Sequence, residues 1–332
     1  MFGRYDIGNE THGDCHMKTT SYRVTSDDEG MRLDRFCNKK TGAPISLLNK
    51  AFRKGLIRVD GKKCEGNLRI EAGQEVAVRM AIDSAQHTVE GFVKKLDKRT
   101  VQEALEMVMY RNAHIIIINK PPGLAVQGGS KISKHLDGML PALQGDAAEP
   151  PRLVHRLDKD TSGVMVLART AKVARELQHL FAQRRMQKTY LALVHGVPIP
   201  FEGEITSRMA KEEDDDGYEK VQSGEHGKKA VSYYRVHDHA AKTAALVELQ
   251  PITGRTHQLR VHASEAGWPI VGDGKYSTRD ADSVLGLQQK LHLHAWRLSV
   301  PELFGDDARE FEAPLPKHMR ESCERLGLMY ES

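Results

Sequence analysis

The run Ile115-Ile116-Ile117-Ile118, closed by Pro121-Pro122-Gly123, restricts the fold more than any other stretch of this chain. Side chains of a strand point alternately to its two faces, so four apolar residues in a row predict a strand buried on both sides. The two prolines and the glycine break it. A second apolar run, "GVMVLA" (163–168), reads as another buried strand. Directly before it lies "HRLDKDTS" (155–162), a polar stretch in which His155, Arg156, Asp158, Lys159 and Asp160 crowd together. Asp160, Thr161 and Ser162 suit a structural turn, whereas so many ionisable groups beside a buried strand suit a site.

The rest of the chain alternates strands and helices. Strands are predicted at 188–196 ("KTYLALVHG"), 228–238, 242–251 and 290–301, with His292 and His294 alternating as strand residues do. Thr170 caps an amphipathic helix over 171–185, and a second helix is predicted over 100–111 ("TVQEALEMVMYR"). The segment 211–229, "KEEDDDGYEKVQSGEHGKK", reads as a charged, solvated loop, and 303–332 as a wrapping tail or a final helix near "HMRESCERLGL". Sheet strands interleaved with helices predict an α/β (α+β) domain over residues 111–332.

The N-terminal part is organised differently. Residues 1–20 read as a flexible leader without the pattern of a secretory signal, and 21–82 as a small domain. Residues 83–110 read as a linker and a helix. Within the small domain, Leu33 and Phe36, then Leu47, Leu48 and Phe52, recur at helical spacing, followed by an Asp60-Gly61 hairpin signal. The net charge of +4 is concentrated here, because residues 21–80 carry 13 Lys and Arg against 8 Asp and Glu. Such a footprint fits a phosphate backbone as well as a solubilising surface.

Composition removes several classes. No apolar stretch reaches the roughly 18 residues of a membrane span. Cys15, Cys37, Cys64 and Cys323 lie far apart with no metal-binding spacing, which suits reduced thiols in a cytoplasmic protein, and no metal site is expected. No GxGxxG or GxxxxGK[ST] context suggests a nucleotide cofactor.

The segment 21–80 resembles the S4 RNA-binding domain through "RLDRF" (32–36), "RKGLIRVDGK" (53–62) and "AGQEV" (72–76). That resemblance puts Arg32, Lys50, Arg53, Lys54 and Arg58 on an RNA-facing surface. "HRLDKDTSGVMVLA" resembles the hallmark motif of the RluA family of pseudouridine synthases, and three further stretches match that family in order. They are "NKPPGLAVQGG" (119–129), with Gln127 where many members have His, "KTYLALVHG", and "ITGRTHQLRVHASEAGWPIVGDGKY" (252–276).

The resemblance implies the pseudouridine synthase fold: a long, mixed, mainly antiparallel sheet around a central RNA cleft, with no cofactor. It implies Asp158 as nucleophile, Arg255 as the cation paired with it, Tyr190 as the aromatic stacked on the flipped uracil, and Arg156 as the side chain filling the gap in the RNA. The reaction needs the carboxylate ionised inside a pocket partly closed to water; burial opposes the charge, so a cation must stand beside it. Among family members, those acting on large-subunit (23S) ribosomal RNA carry the S4 module. The C-type is the first reading, the D-type a second, and the expected protein is a monomer.

Two other classes stand beside this one. A noncatalytic S4-type RNA-binding protein would need the small domain but not Asp158, Tyr190 and Arg255 together. A hydrolase pairing Asp158 with Asp160 lacks a second carboxylate motif to support it.

Overall fold

The computed structural model describes residues 18–43, 45–80, 96–128, 132, 134–213, 219–224, 226–277 and 286–330. The chain divides into two units, Met1–Val93 and Lys94–Ser332.

In the first unit, β1 (Lys18–Arg23) leads to two helices, α1 (Leu33–Thr41) and α2 (Ile45–Arg53), then to β2 (Ile57–Val59), β3 (Lys62–Lys63) and β4 (Glu75–Met80). The sheet order is β1-β4-β2-β3, with antiparallel pairing throughout. Asp60 and Gly61 both have positive φ (47° and 75°), the geometry of a tight hairpin turn between β2 and β3. Leu33, Phe36, Leu48, Phe52, Ile57, Val76 and Val78 form the core. Leu47 does not join them: it is exposed on α2, because only one of two adjacent helix positions can face the sheet. Lys18–Thr20, read from sequence as leader, pair with β4; residues 1–17 and most of the expected linker lie outside the described residues.

The second unit begins with α3 (Lys98–Glu106), β5 (Val108–Arg111) and β6 (Ile115–Lys120). The helix expected over 100–111 therefore stops at Glu106, and Val108–Arg111 form a strand on β6 instead. After α4 (Leu136–Met139) come β7 (Arg152–Leu153), β8 (Ser162–Ala168), α5 (Ala171–Ala182) and β9 (Gln187–His195). Then follow β10 (Glu202–Glu213), β11 (Glu219–Ser223), β12 (Lys228–Ala240), β13 (Ala244–Pro251), α6 (Gln258–Glu265), β14 (Leu293–Val300), β15 (Arg309–Glu312) and α7 (Lys317–Leu326). Thr170 caps α5 by accepting from the Val173 N–H. The segment read as a charged loop is instead largely a pair of strands, since Met209–Glu213 pair with Glu219–Ser223 at the edge of the sheet. Charged residues suit an edge strand, where they discourage pairing with another chain.

Among the described residues these strands form one sheet in the order β11-β10-β12-β13-β9-β14-β8-β6-β5, with β15 on β14 and β7 on β8. Among the described strands only β14 and β8 pair in parallel, and the other neighbours run antiparallel. Ile115 to Ile118 and all of β8 are buried. Strand β9 shows why both faces are apolar. Tyr190, Ala192 and Val194 belong to the main core with Leu177 and Leu180 of α5, while Leu191 and Leu193 pack with Trp296 and with Met319 and Cys323 of α7.

Gly163 makes the central parallel contact possible. Its φ is +117°, and a β-carbon there would lie 2.1 Å from the carbonyl oxygen of Ala295. Only glycine allows β8 to approach β14 so closely.

Candidate active site

Asp158 sits in the loop between β7 and β8, whose ends the sheet fixes. Leu157, beside it, is buried in the core, and the ring of His155 accepts a hydrogen bond from the Val166 N–H at 3.0 Å. Burial, and then the nearby Lys188, pushes the His155 imidazole down to about 3, so it serves as a neutral acceptor. The far side of the loop is tied down by Lys120, a completely buried side chain at the end of β6. Its ammonium donates to the carbonyls of Pro121 (2.9 Å), Leu124 (2.8 Å) and Lys159 (3.0 Å), and the Gly123 N–H also reaches the Lys159 carbonyl. Burial lowers the Lys120 pKa to about 7 against the opposing pull of Asp160 and Asp158.

A cavity of about 770 Å³ opens beside this loop, lined by Arg156, Asp158, Lys188, Tyr190, Arg255 and Arg260 among others. Four of the residues expected from sequence therefore meet around one space. Arg156 is exposed and, among the described residues, has no hydrogen-bond or ion-pair partner. Tyr190 is almost buried on β9; burial, reinforced by Asp158, holds its phenol above the usual range and hence protonated. Lys188, two residues earlier on the same strand, lies over Phe181 with its nitrogen 5.7 Å from the ring centre, and burial lowers its pKa.

The cation beside Asp158 is Arg260 rather than Arg255. Arg260 Nη1 stands 3.6 Å from Asp158 Oδ2, while the exposed Arg255 turns its Nε to the backbone carbonyl of Lys229 at 3.3 Å. The cause is local. Arg255 precedes α6 in a turn held by Gln258, which accepts from the Arg255 N–H and from the Thr253 hydroxyl while donating to Val231 and Ser232. Arg260 follows on the buried face of α6. There Asp273 grips it in a fork, with Nε to Oδ2 at 2.8 Å and Nη2 to Oδ1 at 2.6 Å, leaving Nη1 to face Asp158. The Asp273 side chain is fully buried, and Arg260 also lies over the Tyr276 ring at 5.1 Å. His257 completes the surroundings, with Nε2 3.8 Å from Asp158 Oδ2. Arg260, His257, Asp273 and Tyr276 all belong to the stretch 252–276 that carries the resemblance, but spacing alone does not say which of its arginines points inward.

The five basic residues expected on the RNA-facing surface of the first unit are all exposed. Arg32 is already engaged, since its guanidinium bonds both oxygens of Asp34 at 3.2 and 2.7 Å. Arg58 donates to the Gly61 carbonyl at 3.0 Å. Lys50, Arg53 and Lys54 gather at the C-terminal end of α2, where no acidic side chain pairs with them among the described residues. Among the described residues no group of His, Cys, Asp and Glu is arranged to hold a metal ion, and no helix is long and apolar enough to cross a membrane.

A carboxylate beside a guanidinium, lining a cavity with an aromatic wall, can attack an electrophilic carbon of a planar ring inserted there. The chain is similar to several known proteins. The family model described as RNA pseudouridylate synthase matches residues 114–265. The chain is 34% identical over 309 residues to the ribosomal large subunit pseudouridine synthase C of Escherichia coli K12, covering 91% of this chain and 95% of that one. It is 35% identical over 293 residues to the protein of the same name from Rickettsia bellii, covering 86% and 95%. Among solved structures, human RNA pseudouridylate synthase domain containing 4 superposes with a TM-score of 0.60 at 34% identity, over 71% of this chain and all of that one. Human RNA pseudouridylate synthase domain containing 1 shares the fold, with a TM-score of 0.52 at 24% identity over 68% of this chain and 96% of that one.

Proposed function

The chain belongs to the RNA pseudouridylate synthase family, and from that premise we propose that it isomerises specific uridines of large-subunit (23S) ribosomal RNA, with Asp158 as the nucleophile. In this reaction the C1′–N1 bond of uridine breaks, the uracil turns within the pocket, and a C1′–C5 bond forms. The C5 hydrogen leaves as a proton and N1 gains one, so atoms and electrons balance without a redox partner. The reading therefore calls for no metal, nucleotide or other cofactor.

The observation that carries it is the carboxylate of Asp158 facing a cavity, with Arg260 Nη1 at 3.6 Å and Tyr190 in the same wall. A uridine stacked in RNA cannot reach Asp158, so the target nucleotide swings out, at a cost of roughly a few kcal/mol. Arg156, exposed and unpaired among the described residues, suits the space the base leaves, because a guanidinium stacks on bases and binds phosphate together. Tyr190 stacks on the base, contributing about 1–3 kcal/mol by the usual value of an aromatic platform. Arg260 stands beside Asp158 at 3.6 Å as the carboxylate attacks, at C6 of the base or C1′ of the sugar.

The rRNA substrate is supported by relatives named as ribosomal large subunit enzymes over nearly the whole chain. The basic cluster on α2 supports a first unit that grips RNA, as the S4 resemblance implies. We place the protein in the cytoplasm with its rRNA substrate, acting as a monomer. Tritium release from C5-labelled uridine in large-subunit rRNA tests the activity: it disappears in Asp158→Ala, and release at the wild-type rate would overturn the assignment. Mapping pseudouridines in rRNA from cells lacking the gene separates C-type from D-type targets.

A further inference from the structure

The cavity beside Asp158 is lopsided in charge. Arg156, Arg184, Lys188, Arg255 and Arg260 line it, while Asp158 is the one carboxylate among its described lining residues. Three of these cations are accounted for. Asp273 holds Arg260, the Lys229 carbonyl takes the Nε of Arg255, and Arg156 suits the gap left in the RNA. The side chains of Arg184 and Lys188 make no hydrogen bond or ion pair among the described residues.

Lys188 lies on β9 two residues before Tyr190, and the alternation of a strand sends both side chains to the same face, about 6.5 Å apart along the chain. The Phe181 ring centre is 5.7 Å from its nitrogen, which faces the turn before α6, 3.9 Å from where a β-carbon on Gly254 would stand. Half-buried between them, the ammonium has lost much of its water without gaining an acidic neighbour, and burial alone lowers its pKa. A cation desolvated in this way weakens the folded state until an anion pairs with it.

The backbone at Arg184 points the same way independently. The Arg184 N–H donates to the Phe181 carbonyl and the Arg185 N–H to the Leu180 carbonyl, so α5 ends in a Schellman turn with Arg184 at the position where helices commonly place glycine. Its φ of +61° lies in the left-handed region, where a β-carbon is crowded. A glycine would satisfy the turn without strain. The arginine instead puts an exposed guanidinium on the cavity wall, and strain of this kind collects at functional sites.

We infer that Lys188, joined by Arg184, binds a backbone phosphate of the RNA beside the extruded uridine. The inference rests on a uridine of RNA being the substrate that enters this cavity. The phosphate supplies the anion that Lys188 lacks, one short step along β9 from the ring on which the base stacks. An ammonium on a flexible stem can follow that charge as the nucleotide swings in. The pairing forms only with the nucleotide in the cavity, so it favours the extruded state over the stacked one.

Tritium release from a large-subunit rRNA transcript and urea unfolding of the free protein, both on full-length Lys188→Met and Arg184→Gly, test this. In Lys188→Met kcat/KM falls about tenfold or more, the loss of a charge-assisted contact, and the slope of log kcat/KM against log salt flattens by roughly 0.7–0.9. In Arg184→Gly, which gives up a more exposed charge, kcat/KM falls about threefold. Both urea midpoints stay at or above that of wild type, because one variant removes a desolvated cation and the other relieves a left-handed turn. A merely structural role would lower them. On a synthetic rRNA segment carrying a mapped target uridine, the phosphates flanking it are replaced one at a time by neutral methylphosphonate. At one position wild type drops to the level of Lys188→Met, and the two changes combined cost no more than either alone. Wild-type kcat/KM in either variant, a lowered urea midpoint in either, an unchanged salt slope in Lys188→Met, or additive losses at every flanking phosphate each overturns the inference. The methylphosphonate series on wild type carries the test if a variant folds poorly. Absence of tritium release by wild type itself would instead sink the underlying activity, whereas normal release with variants that behave as wild type removes the phosphate contact alone.

Discussion

Arg255 and Arg260 stand five residues apart in one motif, and their fates diverge because Asp273 holds only the second. Arg260→Ala strips the cation from Asp158 and leaves the fully buried Asp273 carboxylate unpaired. The loss of a partner from a buried pair costs about 3–5 kcal/mol. Arg255→Ala removes an exposed guanidinium bonded to one backbone carbonyl, so its stability stays within about 0.5 kcal/mol of wild type. Urea unfolding and tritium release measured on both variants check this: Arg260→Ala loses stability and activity together, while Arg255→Ala retains most of each. Equal losses would mean that the two arginines act jointly on Asp158. The sequence placed both residues in the right segment. Which one faces Asp158 follows from the left-handed turn at His257 and the start of α6 at Gln258, and neither has a spacing signature.

Elements whose apolar pattern exceeds what a solvated face allows were legible: β6 and β8 are buried along almost their whole length, and Thr170 caps α5 where its side chain predicts. Elements decided by a neighbour were not. Val108–Arg111 carry a pattern compatible with helix, and they become a strand because the edge of β6 offers unpaired backbone groups. Glu219–Ser223 read as loop and form a strand for the same reason, against β10. The β8–β14 pairing is the opposite case, a close approach that depends on a single missing side chain. In Gly163→Ala a β-carbon meets the Ala295 carbonyl in backbone at φ +117°, and the strands must part. Such a change costs about 3 kcal/mol or more, and it displaces the loop bearing Asp158, which lies just before β8 in the chain. Unfolding midpoints and kcat fall together in this variant; a wild-type midpoint would show that the strands absorb the methyl group without moving.

For the molecule as a whole, buried neutral histidines set the response to acid. His294 is fully buried between the Ser162 hydroxyl (2.9 Å) and the Ala313 carbonyl (3.0 Å), and burial lowers its pKa to about 4; His155 is lowered to about 3. Between these values and 6.5 the unfolded chain binds protons that the folded chain refuses. Stability is therefore full above about pH 6.5 and falls as pH drops toward 4, by up to about 1.4 kcal/mol per unit for each such histidine. Urea midpoints at about pH 7.5, 6 and 5 should decline in order, and a flat profile would contradict the neutral assignment. The first unit governs salt dependence instead. Replacing Lys50, Arg53 and Lys54 with Ala should weaken binding to large-subunit rRNA and flatten the dependence of log K on log salt, by roughly 0.7–0.9 for each phosphate left without its cation. An unchanged slope would remove α2 from the RNA surface. The order of amino acids alone predicts the buried strands of the sheet, through apolar runs too long for a solvated face, and marks the segment beside the cavity, through a dense cluster of polar residues just before β8. Which arginine stands beside Asp158 is settled by packing in three dimensions. It depends on helix phase and on the buried partner Asp273, brought to Arg260 across space in a way that no local pattern encodes.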